Sequence, residues 1–258
     1  MREAEPEKKI EISEADARGQ GRKPEAAQVS GSNFPGRKEP TGPKPPDLIE
    51  RMLERGNMLK ALQAVEANRG AAGVDGMEVK QLRQYLWKHW AEIREQILNG
   101  SYEPRPVRRV DIPKPGGGTR MLGIPTVLDR LIQQAIHQIL SPLWEEGFSA
   151  HSYGFRPGRS AHQALQSLWE QTMQSGGGWT LEVDIRKFFD TLDHGHLRTL
   201  LQRRVRDGVV LRLIGKWLNA GVMEDGELSY PDAGSPQGGV VSPILANVYL
   251  HYVLDQWF

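Results

Sequence analysis

The chain has 258 residues, 38% of them hydrophobic and 25% charged, with a formal net charge of +1. This length and apolar content suit one large or two small domains with a substantial core, while the near-neutral balance excludes a global positive field as the basis of nucleic-acid binding. The absence of cysteine excludes disulfides and Cys-ligated zinc or iron–sulfur centres.

Residues 1–46 are rich in Pro, Gly, Glu, Lys and Ser and close with GRKEPTGPKPP. Such a composition buries too little surface to offset the entropy of ordering, so a disordered tail is expected, with folded structure over 47–258. No apolar leader or run of membrane-spanning length occurs, which points to a cytoplasmic protein without membrane insertion. Helical spacing of apolar residues follows at 47–67, with Leu48, Ile49, Met52, Leu53, Leu59, Leu62 and Val65. A second helix is read at 78–98, stopped by Asn99-Gly100.

From Arg108 the sequence reads as a β-hairpin: alternation around Val110 and Ile112, the flexible turn PKPGGG, and the returning strand TRMLGI. Thr126 and Asp129 then form a capping-box-like pair ahead of a wide apolar stripe from Val127 to Leu140. The loop YGFRPGRS ends at Ser160, a plausible N-cap for a helix to about residue 173. In WTLEVDI, 179–185, apolar and polar residues alternate strictly, the period of a half-buried strand, which places Asp184 on its open face. Helices at about 194–206 and 208–219, a hairpin over VMEDGELSY and a final helix after SPQGGVVSP complete the order. That last pattern is still running at Phe258, which suggests a fragment. Trp87, Trp90, Trp144, Trp169 and Trp217 sit at helical spacing and are most simply core.

Four constellations have chemical potential. Asp184 at a strand end is a workable magnesium ligand, or else a solubilising surface acid. Lys114 and Arg120, one hairpin turn apart, suit a polyphosphate through charge-assisted hydrogen bonds, or are two surface cations. SPQGG, 235–239, allows close backbone approach at its glycines and puts the amide of Gln237 within reach of a ligand, or is simply a turn. SYGFRPGRS interleaves Tyr153, Phe155, Arg156 and Arg159, which suits a nucleic-acid strand, although its arginines equally suit pairing with internal acids.

The order of these motifs resembles the reverse transcriptase domain of group II intron-encoded proteins, over about residues 48–258. RGAAGVDGM (69–77) and RRVDIPKPGGGTRMLGIPTVLDRLIQQA (108–135) look like that family's amino-terminal and first finger motifs. The resemblance implies an α+β, right-hand polymerase with fingers and palm. By similarity Asp184 is the first catalytic carboxylate, the backbone carbonyl of Ile185 shares the Mg2+ shell, and Phe189 is the aromatic gate against a ribose 2′-hydroxyl. Lys114 and Arg120 hold a deoxynucleoside triphosphate, and Gln237 lies against nucleotide and template. The implied partners are an intron RNA template and a DNA or RNA primer. The family's Tyr-Ala-Asp-Asp motif is absent from the sequence. The expectation is therefore an incomplete palm, inactive by itself, because two-metal phosphoryl transfer needs several converging carboxylates. Two rival readings are a non-catalytic RNA-binding maturase module, using Arg108, Arg109, Arg156 and Arg159, and a defence-associated reverse transcriptase.

Overall fold

A computed structural model describes residues 48–114, 116–224, 226–230 and 238–256. The expected tail, Asp47 and Gln237 lie outside these residues. The chain opens with α1 (Leu48–Leu53) and α2 (Arg55–Asn68), which divide the single helix expected over 47–67. The break is at Glu54, whose ψ of 136° is extended, and α2 ends on Arg69 in the left-handed region. A 3-10 turn, Val79–Gln81, leads into α3 (Leu82–Asn99), and Gly100 ends it with a φ of 78°.

The hairpin expected from alternation forms as β1 (Val107–Pro113) and β2 (Thr119–Ile124), antiparallel, with Arg108 opposite Ile124 and Ile112 opposite Arg120. After α4 (Val127–Glu145) and α5 (Ala161–Gln174) come the short α6 (Phe188–Thr191), α7 (His194–Gln202) and α8 (Gly208–Leu218). Then follow β3 (Val222–Glu224), β4 (Glu227–Ser229) and α9 (Ser242–Leu250), whose last turn widens to π geometry over His251–Asp255. The sheet order is β2-β1-β3-β4; β3 joins β1 in parallel, Val107 opposite Val222, and pairs antiparallel with β4.

α4 is the centre of the packing. Thr126 caps it by accepting from the Asp129 amide at 3.1 Å, and its stripe of Leu131, Ile132, Ala135, Ile136, Ile139, Leu140 and Trp144 is buried against α1, α2 and α9. The Asp129 carboxylate is buried in the first turn of α4. It accepts from Thr126 Oγ1 at 2.7 Å, Tyr102 Oη at 2.9 Å, Trp217 Nε1 at 3.2 Å and the Arg105 amide at 3.3 Å, so α3's exit, α4 and α8 share one acceptor. Burial pushes its pKa up, and those donors oppose the shift.

Two expectations are corrected here. Residues 179–185 do not form a strand: no ladder is made, and Trp179, Leu181, Val183 and Ile185 all stand exposed. Alternation prepares a strand, but the backbone hydrogen bonds that make one need a neighbour, and none of the described strands pairs with these residues. Of the tryptophans, Trp144 and Trp217 are core, whereas Trp87 and Trp169 are 86% and 58% exposed, because α3 and α5 turn those faces outward. Among the described residues, no helix is long and apolar enough to cross a membrane.

Candidate functional site

Lys114 and Arg120 belong to the β1–β2 hairpin. Its turn closes through the Lys114 amide to the Gly118 carbonyl, 3.0 Å, and Gly117 and Gly118 take φ of 90° and 78°, a region cheap only for glycine. Both cationic side chains are exposed, Arg120 on β2 and Lys114 at the turn. The glycine turn after Gln237 seats on the same hairpin. At Gly238, with φ of 115°, a Cβ would lie 2.5 Å from the Gly123 carbonyl oxygen and 2.9 Å from the Leu122 side chain, so only glycine fits against β2. Two residues on, the Val240 amide donates to Gln133 Oε1 of α4 at 2.8 Å.

Asp184, Ile185 and Phe189 lie between α5 and α7. Lys187 adopts the left-handed φ of 54°, and its carbonyl accepts from the Asp190 and Thr191 amides, which starts α6. Phe188 and Phe189 are half-buried edge to face at 5.4 Å, and Phe188 meets Tyr249 of α9 at 6.0 Å. Packing therefore holds Phe189, while Asp184 and Ile185 are exposed. Among the described residues no hydrogen bond or ion pair joins Asp184 to Lys114 or Arg120.

The loop before α5 also reaches α9. Arg156, 8% exposed, donates to Glu145 Oε1 at 2.8 Å and to the carbonyls of Ser149 and Ser152, both at 2.7 Å, and lies over the Phe148 ring. Of the two readings open for this arginine, internal pairing holds. Arg108 donates to the Ala72 carbonyl and Arg109 to Asp111 and Glu224, so three of the four arginines proposed for RNA contact are engaged within the fold. Arg159 is exposed, over the Tyr153 ring at 5.4 Å.

Sequence reasoning missed Asn247, whose Nδ2 donates to the Gly154 carbonyl at 2.9 Å and ties the loop to α9. Its signal was a lone amide inside the apolar run PILANVYL. It also missed the clamp on RGAAGVDG: Arg108 and Arg130 reach the carbonyls of Ala72 and Ala71, and a Cβ at Gly73 would lie 2.7 Å from the Thr126 backbone. Only the folded chain brings those carbonyls beside two arginines.

The described residues do not build a divalent-metal centre by themselves. They contain no group of three His, Asp or Glu placed to hold an ion; Asp190 is exposed on α6, and Asp193 accepts from the His196 amide at 2.6 Å as the cap of α7. Asp184 stands as a single exposed carboxylate.

Comparison with known proteins matches residues 112–258 to the family described as reverse transcriptase (RNA-dependent DNA polymerase). Protein YkfC of Escherichia coli K12 is 38% identical over 199 residues, 75% of this chain and 52% of that protein. The group II intron-encoded protein LtrA of Lactococcus lactis is 37% identical over 199 residues, 74% of this chain and 32% of that protein. The chain thus spans from about a third to a half of these relatives' length. A chain of the solved Cas6-RT-Cas1–Cas2 complex superposes with a TM-score of 0.54 over 82% of this chain and 22% of that one, at 20% identity, a likeness of fold. With the α+β architecture and the ordered motifs, these matches show that the chain belongs to the reverse transcriptase family, which uses divalent metal ions, nucleic-acid template and nucleotide substrates, and within it resembles the group II intron-encoded proteins and maturases.

Proposed function

We propose that residues 47–258 supply the fingers and the front of the palm of a group II intron-type RNA-directed DNA polymerase. The hairpin cations Lys114 and Arg120 hold the triphosphate of an incoming deoxynucleotide, and Gln237 lies beside nucleotide and template. Phe189 crowds the ribose 2′ position and selects deoxynucleotides. Asp184 and the Ile185 carbonyl contribute ligands to Mg2+, which in this family's chemistry offsets charge on the transferring phosphoryl group. The remaining carboxylates are not supplied by the described residues. An intron RNA as template and a DNA or RNA primer are the partners this reading assigns.

One observation carries the reading: α9 gathers the separate motifs. The Phe188 turn packs on Tyr249, the YGFRPGRS loop is bonded to Asn247, and the glycine turn that leads into α9 is seated on the strand bearing Arg120. Photo-cross-linking of a labelled deoxynucleoside triphosphate tests it. Labelling falls at least tenfold in Lys114→Ala and Arg120→Ala, since each removes a charge-assisted contact of about 1.5–3 kcal/mol. Unchanged labelling in both variants overturns the reading. Extension of a primer on RNA by this chain, lost in Asp184→Ala, would show that its carboxylates suffice.

A further inference from the structure

The best-supported unexplained feature is Phe155. It is 73% exposed and holds a φ of 53°, the left-handed region in which a bulky side chain is a genuine outlier. Among the described residues no core packing rewards the ring, which is one of the large apolar side chains left in solvent. Yet the backbone beneath it is fastened on both sides. Asn247 of α9 holds the Gly154 carbonyl, and the buried Arg156 guanidinium holds Glu145 and the carbonyls of Ser149 and Ser152. A strained conformation persists only where its surroundings over-determine it, and here they aim an aromatic face outward.

The neighbouring chemistry selects a ligand. Residues 150–160 contain no acid, and Arg159 is exposed beside the ring of Tyr153. A rigid aromatic platform with a guanidinium a few residues away matches one nucleotide of a single strand, its base stacked and its phosphate paired. We infer that Phe155 is a stacking platform for an unpaired base of a single-stranded nucleic acid, with Arg159 contacting the adjoining phosphate and Arg156 acting only as a positioning residue. This rests on the polymerase reading only in taking the strand to be template or primer.

Equilibrium binding of a fluorescent single-stranded oligouridylate to the 258-residue chain, with melting curves for every variant, tests it. Phe155→Ala and Phe155→Leu weaken binding about 5- to 150-fold, the range that base–aromatic stacking supplies, while Phe155→Trp keeps affinity and its indole is quenched on binding. Arg159→Ala flattens the salt dependence of binding by about one counterion. Phe155→Gly raises the melting temperature by a few degrees, since glycine accepts this φ without strain, and loses binding as Ala does. Wild-type affinity in Phe155→Ala overturns the inference alone, as does a large fall in melting temperature in Phe155→Gly, which would make the ring a packing residue. Absence of salt-sensitive binding by the unmodified chain overturns both the inference and the polymerase reading.

Discussion

Helices α4 and α5 begin alike and end up in opposite environments. Thr126 caps α4 by accepting from the amide three residues on, and Ser160 caps α5 in the same way, by accepting from the Gln163 amide at 3.3 Å. Both carry an apolar stripe at helical spacing. The α4 stripe is buried on α1, α2 and α9, whereas Leu165, Leu168, Trp169 and Met173 of α5 are all exposed, as are Trp179, Leu181, Val183 and Ile185 beyond it. Caps and propensity settle where a helix starts. Whether its stripe becomes core depends on another element facing it, and of these two helices only α4 has one among the described residues.

This contrast can be broken by experiment, and the largest effect belongs to the polar anchor beneath α4. Removing the Asp129 carboxylate with Asp129→Ala leaves Tyr102, Trp217 and Thr126 donors buried without their acceptor, so urea unfolding should show a loss of about 3–5 kcal/mol. Within the stripe, Ile136→Ala opens a cavity in the core and costs about 2–5 kcal/mol in the same measurement. A matched pair of prolines separates ladder from loop. Val110→Pro removes a bond of the β1–β2 ladder and costs about 3 kcal/mol or more, whereas Val183→Pro breaks no ladder and leaves the melting temperature within a degree or two. Equal losses from the two would show that 179–185 is paired in solution.

Acid should act on the packed side of the comparison. Burial pushes the pKa of His137 on α4 down from 6.5, and that of His251 after α9 down as well, although Asp255 opposes the latter shift. The unfolded chain then binds more protons. The stability these histidines contribute is fully present above pH 6.5 and is lost as pH falls through their folded values. Melting temperature should therefore decline from pH 7 to 5, less steeply in His137→Gln. The smallest effect is expected on α5, where Leu168→Ala and Trp169→Ala change unfolding free energy by no more than about 0.5 kcal/mol, since both side chains are already in water. A loss of 2 kcal/mol there would place a partner on that face.

Much of the local structure was legible. The hairpin turn PKPGGG, the caps Thr126 and Ser160, and the stop at Gly100 act over three or four residues, and the helices and hairpin that they bound all form. The break at Glu54 was not read, although Gly56 lies two residues on, because apolar residues at helical spacing on both sides read as one helix. Nor was the parallel joining of β3 to β1, which depends on where α8 delivers the chain. At the candidate site the residue types and their order were readable, but the role of Arg156 was not. An arginine in a loop reads alike whether it meets RNA or Glu145, and burial decides between them.

What the sequence by itself determined is the set of local commitments: which segments coil, where they are capped, which turns need glycine, and which motifs follow one another in the order of a reverse transcriptase. What only the tertiary structure decided is which of those segments found partners. α4 gained a core and a buried acid with four donors, while the alternation that prepared 179–185 for a sheet, Asp184 included, remained exposed. Periodicity is a property of one segment and survives alone, but burial and strand pairing are properties of two, and their free energy exists only once the second surface is in place.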